Sequence, residues 1–291
     1  MVFALEYFYS QFFFTPPYPT DDFTGQTVIV TGSNTGLGLE AARHLVRLNA
    51  EKVILAVRNL EKGEAAKGSI EASEKKIGVV EVWELDLASH ESVQRFAKRA
   101  EGLKRLDAIS GNAAIYTYQF KIVDGNESTM TVNVINTFLL ALLLLPKMRE
   151  TAVQFNVVPR ISLVASFVHY LTSFPQKKED SIFDYLNKEG VADMNDRYNV
   201  SKIIEIFGTR EMAKLMEASP KEGKVILNCL NPGHCRSEMM RETTGMFKYF
   251  VKGITALMAR TTEVGARTLI AGVAAGYETH GTYMDDSKVG K

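Results

Sequence analysis

The sequence predicts a doubly wound α/β fold, a mostly parallel seven-stranded sheet with helices on both faces. Three observations predict it. Short β-branched runs alternate with segments of helical period along most of the chain. A glycine-rich turn joins the first such run to the first helix, and long irregular stretches follow later strands.

Taken in order, strands are expected at 27–31, 52–57, 79–85, 106–111, 160–165 and 225–230, with a short seventh at 281–284. Helices are expected at 36–48, 61–75, about 91–101, about 127–149 and 198–217. Residues 1–22 form an aromatic N-terminal extension, and 23–291 read as one catalytic domain. Its irregular stretches at 167–197 and 234–258 lie beyond strand ends, where open α/β sheets build ligand sites.

Composition narrows the function. Hydrophobic residues make up 46% of the 291 and charged residues 23%, an ordinary globular balance with material for a continuous core. Lysine plus arginine equals aspartate plus glutamate at 34 each, so no field favours nucleic acid. Two cysteines make no disulfide framework and suit a reducing, cytoplasmic setting. No Cys/His/Asp cluster has metal-ligand spacing, so no metal is expected. No run of about 18 apolar residues is present, so no spanning helix is expected, and the apolar stretch 137–146 reads as a buried helix. The extension, with Phe3, Tyr7, Phe8, Tyr9, Phe12, Phe13 and Phe14 before Pro16-Pro17, lacks the features of a signal peptide. Packing on the domain or a subunit partner is favoured over peripheral membrane contact, and a homo-oligomer is allowed.

The turn after the first strand reads Thr31-Gly32-Ser33-Asn34-Thr35-Gly36-Leu37-Gly38. Glycines let the backbone approach a pyrophosphate, and the helix N-terminus offers unpaired N–H groups and partial positive charge. The alternative is a tight strand–helix turn with no ligand. Roughly 20 residues on, where an NAD site presents a carboxylate to the ribose, stands Arg58. A guanidinium can pair with a 2′-phosphate, so the expected cofactor is NADP(H); an ordinary surface arginine is the alternative. Asp86, followed by Leu87 after the third strand, can reach the adenine amino group or cap the next helix.

Tyr198 and Lys202 stand at i and i+4, on one helix face. A phenol with an ordinary pKa near 10 is a poor catalyst at neutral pH, and an ammonium one turn away favours its phenolate.

With these motifs in order, the sequence resembles the short-chain dehydrogenase/reductase family from Phe23 to about Met284. It looks most like the retinol dehydrogenase and WW-domain oxidoreductase branch and its fungal relatives in secondary metabolism. The resemblance implies a Rossmann-type catalytic domain in which Tyr198 is the general acid in reduction and the base in oxidation. It implies that Ser166 bonds the substrate oxygen, Lys202 tunes Tyr198 and anchors the ribose, and Asn133 completes a proton path through water. It places Asn112, Ala113, Ala114, Pro232, Gly233 and Ser237 along the cofactor, with Asn34, Thr35 and Leu37 of the glycine loop. Two departures stand out: Gly111 replaces an asparagine that braces the sheet, and Ala114 adds a methyl where the cofactor passes close by. His169 near Ser166 suggests a hydrolase pair, but there is no nucleophile elbow. Cys229 reads as a small core residue.

The expected activity is hydride transfer between NADP(H) and a carbonyl or secondary alcohol of a bulky lipophilic small molecule, as in a ketoreductase. Phe167, Tyr170, Leu171, Phe174, Met239, Met240, Met246 and Phe247 are apolar residues of the two loops, with Phe167, Tyr170, Met239 and Met240 the substrate contacts. The alternative is that they pack the loops onto the body. Two other functions stay open: a catalytically silent NADP(H)-binding protein, and a non-redox epimerase, dehydratase or cyclase on the same fold.

Overall fold

The structure is a computed structural model that describes residues 2–236 and 258–290, with side chains from Tyr7 onward. Its parallel strands are β1 (Thr27–Thr31), β2 (Lys52–Val57), β3 (Val80–Glu84), β4 (Ala108–Gly111), β5 (Arg160–Val164), β6 (Ile226–Leu230) and β7 (Tyr283–Asp285), as the sequence predicts to within a residue or two at most ends. An unforeseen eighth, β8 (Lys288–Val289), pairs antiparallel with β7. The order across the sheet is β8-β7-β6-β5-β4-β1-β2-β3, so the winding reverses between β1 and β4. Chains leaving those two strands diverge there and open a crevice for a ligand.

The expected helices are α2 (Gly36–Arg47), α3 (Leu60–Glu74), α4 (His90–Ala100), α5 (Ser128–Phe155) and α6 (Arg197–Glu217). Among the described residues two more long helices were not predicted, α1 (Val2–Phe13) and α7 (Thr262–Ala274). On one face of the sheet, α2, α3 and α7 bury Leu45, Ile70 and Leu269 against Val30, Leu55 and Val164. On the other, α4, α5 and α6 bury Phe96, Leu144 and Ile206 against Ile54, Ile109 and Ile161. Each such side chain contributes about 1.5–3 kcal/mol by leaving water.

By length and hydropathy α5 could cross a membrane, contrary to the expectation from unbroken apolar runs, because the helix is apolar on average even though polar residues such as Asn136 and Thr137 interrupt each run. Two-thirds of its most apolar window is buried within the fold, as a core helix requires. Within α5, residues Thr131–Ile135 form a π-helical turn, a widening often found at functional sites.

The stretch 167–197 is partly ordered into short turns and one helix, Ile182–Leu186. Phe174 and Leu186 from it pack on Met130, Val134 and Val200, a third small core. Phe174 is therefore spent holding the loop to the body, not facing a ligand. Of the second loop, Ser237, Met239, Met240, Arg241, Met246 and Phe247 lie outside the described residues.

Candidate active site

The glycine loop sits where β1 ends, beside the end of β4. Gly32 has φ 64°, and a Cβ there would stand 3.0 Å from the Ala113 backbone. At Gly38 a Cβ would meet the Gly32 carbonyl at 2.6 Å, so the loop closes on its own helix. Gly36 also has positive φ, at 62°, yet nothing lies within 4 Å of where its side chain would be. Thr35 occupies the N-cap of α2 without capping through its side chain. The first-turn N–H groups and the empty space at Gly36 make a cradle that fits a pyrophosphate. Leu37 is half-buried, and its side chain would be met by any Cβ on Gly265 of α7. Asn34 is half-buried on the loop, and Thr35 is its exposed residue.

Asn112 and Ala113 brace this loop from β4. Asn112 Nδ2 donates to the carbonyls of Thr31 at 3.0 Å and Gly32 at 3.3 Å, while the Ala113 N–H donates to Thr31 Oγ1. Gly111, the first departure from the family pattern, has a physical cause: a Cβ there would sit 2.7 Å from Leu163 Cδ2. The leucine fills the place of the missing asparagine side chain. Ala114 is half-buried beyond it.

Arg58 follows β2, exposed, and is joined to no described residue by an ion pair or hydrogen bond. Its neighbour Asn59 caps α3 by accepting from the Lys62 N–H. Asp86 accepts from the Ala88 N–H at 2.9 Å, and Ser89, not Asp86, caps α4. Leu87 is buried, its carbonyl held by Asn136 Nδ2.

The catalytic residues proposed from sequence converge at the ends of β4 and β5. Ser166 opens a 3₁₀ turn after β5; its Oγ accepts weakly, at 3.4 Å, from the Val168 N–H. His169 Nδ1 meets the Ser166 carbonyl at 2.6 Å instead of its hydroxyl, so no hydrolase pair exists. Lys202 Nζ donates to the Val164 carbonyl at 2.7 Å, which ties α6 to the strand end that carries Ser166. Its ammonium lies 5.5 Å from the Tyr198 ring centroid. Asn133, in the π-helical turn, is fully buried and spends its amide on the backbone of Ile115 and on Ser201 Oγ. Its side chain thus joins the loop after β4 to α6.

Two residues were missed from sequence. Glu205 pairs with Lys202 at 2.6 Å, with both side chains buried. Helical spacing of three residues could have signalled it. Tyr116, after β4, lies edge-on to Tyr198 at 5.1 Å and donates to Tyr118 Oη, and no local pattern announces that contact. Burial pushes the Tyr198 phenol up, the Lys202 charge pulls it down and Glu205 opposes that pull, with a net upward shift. Burial opposes the Lys202 charge, but Glu205 and Tyr198 outweigh it and its pKa is raised. Burial drives Glu205 up to about 7, against the pull of Lys202.

The extension, favoured to pack on the domain or a subunit partner, packs on the domain as α1, at the other end of the site. Tyr7 packs on Phe167, with ring centroids 4.3 Å apart, and Gln11 Oε1 accepts from the His234 N–H. Gly233, at φ 78°, has no room for a side chain: Gln11 Nε2 and Arg260 Nη1 each lie 2.7 Å from the Cβ position. Buried Arg260 bonds the carbonyls of Pro232, Ser10 and Phe14 and the carboxylate of Asp286. Asn231 accepts from the N–H groups of Phe167 and Gly233 and donates to Asp285, linking the two loops. Tyr170 is exposed, its ring tilted against His169 with centroids 3.9 Å apart.

The family model of the short chain dehydrogenases matches residues 26–174. The chain is 47% identical over 288 residues to the short-chain dehydrogenase anuD of Penicillium roqueforti, covering 98% of this chain and 75% of that one. It is 44% identical to the short chain dehydrogenase/reductase dmxR8 of a Cryptosporiopsis species, over 98% and 88% of the two chains. A Beutenbergia cavernae protein crystallised with bound NADP shares the fold, with a TM-score of 0.66 at 19% identity over 92% and 97% of the chains. The chain belongs to the short-chain dehydrogenase family, whose members are oxidoreductases that use a nicotinamide dinucleotide.

Proposed function

We propose that the protein is an NADP(H)-dependent reductase of a ketone, or dehydrogenase of the matching secondary alcohol, with a bulky lipophilic small molecule as substrate, in fungal secondary metabolism. The observation that carries the reading is the bond from Lys202 Nζ to the Val164 carbonyl, which fastens the Tyr198 helix to the strand end bearing Ser166. When bound, the nicotinamide supplies or accepts the hydride. In reduction, the Ser166 hydroxyl donates to the carbonyl oxygen and stabilises the charge that grows there. The Tyr198 Oη–H bond breaks and its proton passes to that oxygen, leaving a phenolate that regains a proton from solvent.

The preference for NADP(H) rests on Arg58, exposed and unengaged among the described residues at the ribose end of the glycine loop. Guanidinium pairs with a 2′-phosphate and has no such partner on NAD. The lipophilic substrate rests on Phe167, Tyr116 and Tyr118, half-buried aromatic side chains around Tyr198 and Ser166.

A panel of small polar, long-chain and fused-ring ketones, at saturating NADPH, tests this through loss of the reduced-nicotinamide absorbance. Fused-ring or long-chain ketones should show the higher kcat/KM. A higher value for the small polar ketones refutes the lipophilic pocket, and ketone-independent NADPH binding without turnover across the panel favours a silent binding protein.

A further inference from the structure

Tyr198, Lys202 and Glu205 succeed one another on one face of α6, and all three are buried. A lysine beside a catalytic tyrosine lowers the cost of its phenolate only if its charge is not already answered. Here it is answered: Glu205 Oε2 sits 2.6 Å from the ammonium, closer than the phenol ring. The Val164 carbonyl, which accepts from Lys202 Nζ, fixes the ammonium at the end of β5.

We propose that Glu205 is a positioning residue that anchors the Lys202 ammonium and cancels its charge at the Tyr198 phenol. The site is thereby set to give a proton to a carbonyl oxygen, and is a weak base toward an alcohol above about pH 7, where Glu205 is ionised. The inference rests on the reading of Tyr198 as proton donor.

The surroundings leave Glu205 in charge of this balance. The ionisable neighbours that act on Tyr198 are Lys202, Glu205 and, from the loop after β4, Tyr116. Lys202 feels Glu205, Tyr198 and Cys229 of β6. Cys229, pushed up to about 12 by burial, is a neutral thiol at working pH. Arg210 of α6 faces Cys229 and His169, and His169 of the turn after β5 faces Asp285. Tyr283 of β7, held neutral chiefly by burial, faces Asp285 and Cys229. The π-helical turn of α5 contributes Asn133, which does not titrate.

The test needs neither cofactor nor substrate. Alkaline ultraviolet difference titration of the intact protein against Tyr198→Phe reads the ionisation of this phenol together with the change its loss makes to Tyr116. In the wild type it should lie at or above the ordinary value near 10. In Glu205→Gln, which keeps size and an acceptor, it should fall by about one to three pH units, the effect of an unanswered cation at this range. A Lys202→Met/Glu205→Met double variant removes the pair as a unit, a replacement buried pairs often tolerate. It should titrate within roughly half a unit of wild type, because a cancelled pair contributes little. An unmoved titration in Glu205→Gln overturns the proposal. So does an upward shift beyond about one unit in the double variant, since Lys202 would then have been acting uncancelled. Should Glu205→Gln fail to fold, the double variant decides alone. Failure of Tyr198→Phe to lose activity would instead strike the proton-donor reading and leave these titrations as they stand.

Discussion

At the residue scale, Tyr198→Phe should cost about 10²- to 10⁴-fold in kcat, the range of a lost general acid, with NADPH affinity within a few-fold of wild type. Retention of more than about a tenth of the rate would remove Tyr198 from that role. Lys202→Ala should do wider damage. It leaves the Glu205 carboxyl buried without its partner, and one-sided removal of a buried pair costs about 3–5 kcal/mol, so Tm should fall along with turnover. Arg58→Asp should reverse the ranking of stabilisation by NADPH and NADH in thermal melts, because the ligand further above its dissociation constant shifts Tm more. Equal shifts in the wild type would count against NADP(H). These residues were legible because each combines a chemical type with a fixed spacing from a strand or glycine turn. Glu205, three positions from Lys202, was not. A glutamate in a helix is usually solvated, and only burial on both sides turns it into part of the site.

At the element scale, the strands were legible because β-branched runs covered on both faces leave little else to be. Helix α1 was not. Its hydrophobic residues, Tyr7, Phe8, Tyr9, Phe12 and Phe13 among them, surround the helix, so no periodic stripe marks a buried face. Its docking depends instead on Ser10 and Gln11, polar side chains whose partners lie more than 220 residues away. Arg260→Met tests that docking. Lost charge-assisted bonds to Ser10, Phe14 and Asp286 are worth about 1.5–3 kcal/mol each, so α1 should detach while the sheet stays folded. Hydrogen exchange should then speed up in residues 2–14 and at His234, and stay unchanged in β1 and β5. Equal protection of residues 2–14 in variant and wild type would show that aromatic packing such as Tyr7 on Phe167 suffices.

For the whole molecule, buried titratable groups bound the pH range of stability. Burial lowers the pKa of His44, His169 and His234 below the ordinary 6.5. The unfolded chain then binds more protons on acidification, so stability falls as pH drops from 6.5 through the folded values. Burial raises Cys229 and Cys235 from 9.0 to about 12. There the folded chain holds the protons longer, so that stability is complete below pH 9 and is lost as pH rises toward 12. Melting temperature should show a plateau between these limits and decline on both sides; a Tm constant to pH 11 would contradict the buried thiols.

The tie between Ser10 and Asp286 also has a consequence in time. Ser10 leaves the ribosome 276 residues ahead of the carboxylate it bonds. At ordinary elongation speeds of about 5–20 residues per second, that interval is roughly 14–55 s. Through most of it the nascent chain carries an aromatic helix with no seat, since Arg260 and β7 do not yet exist. Such a segment is a ready target for a chaperone at the exit tunnel until Asp286 emerges to bond Ser10.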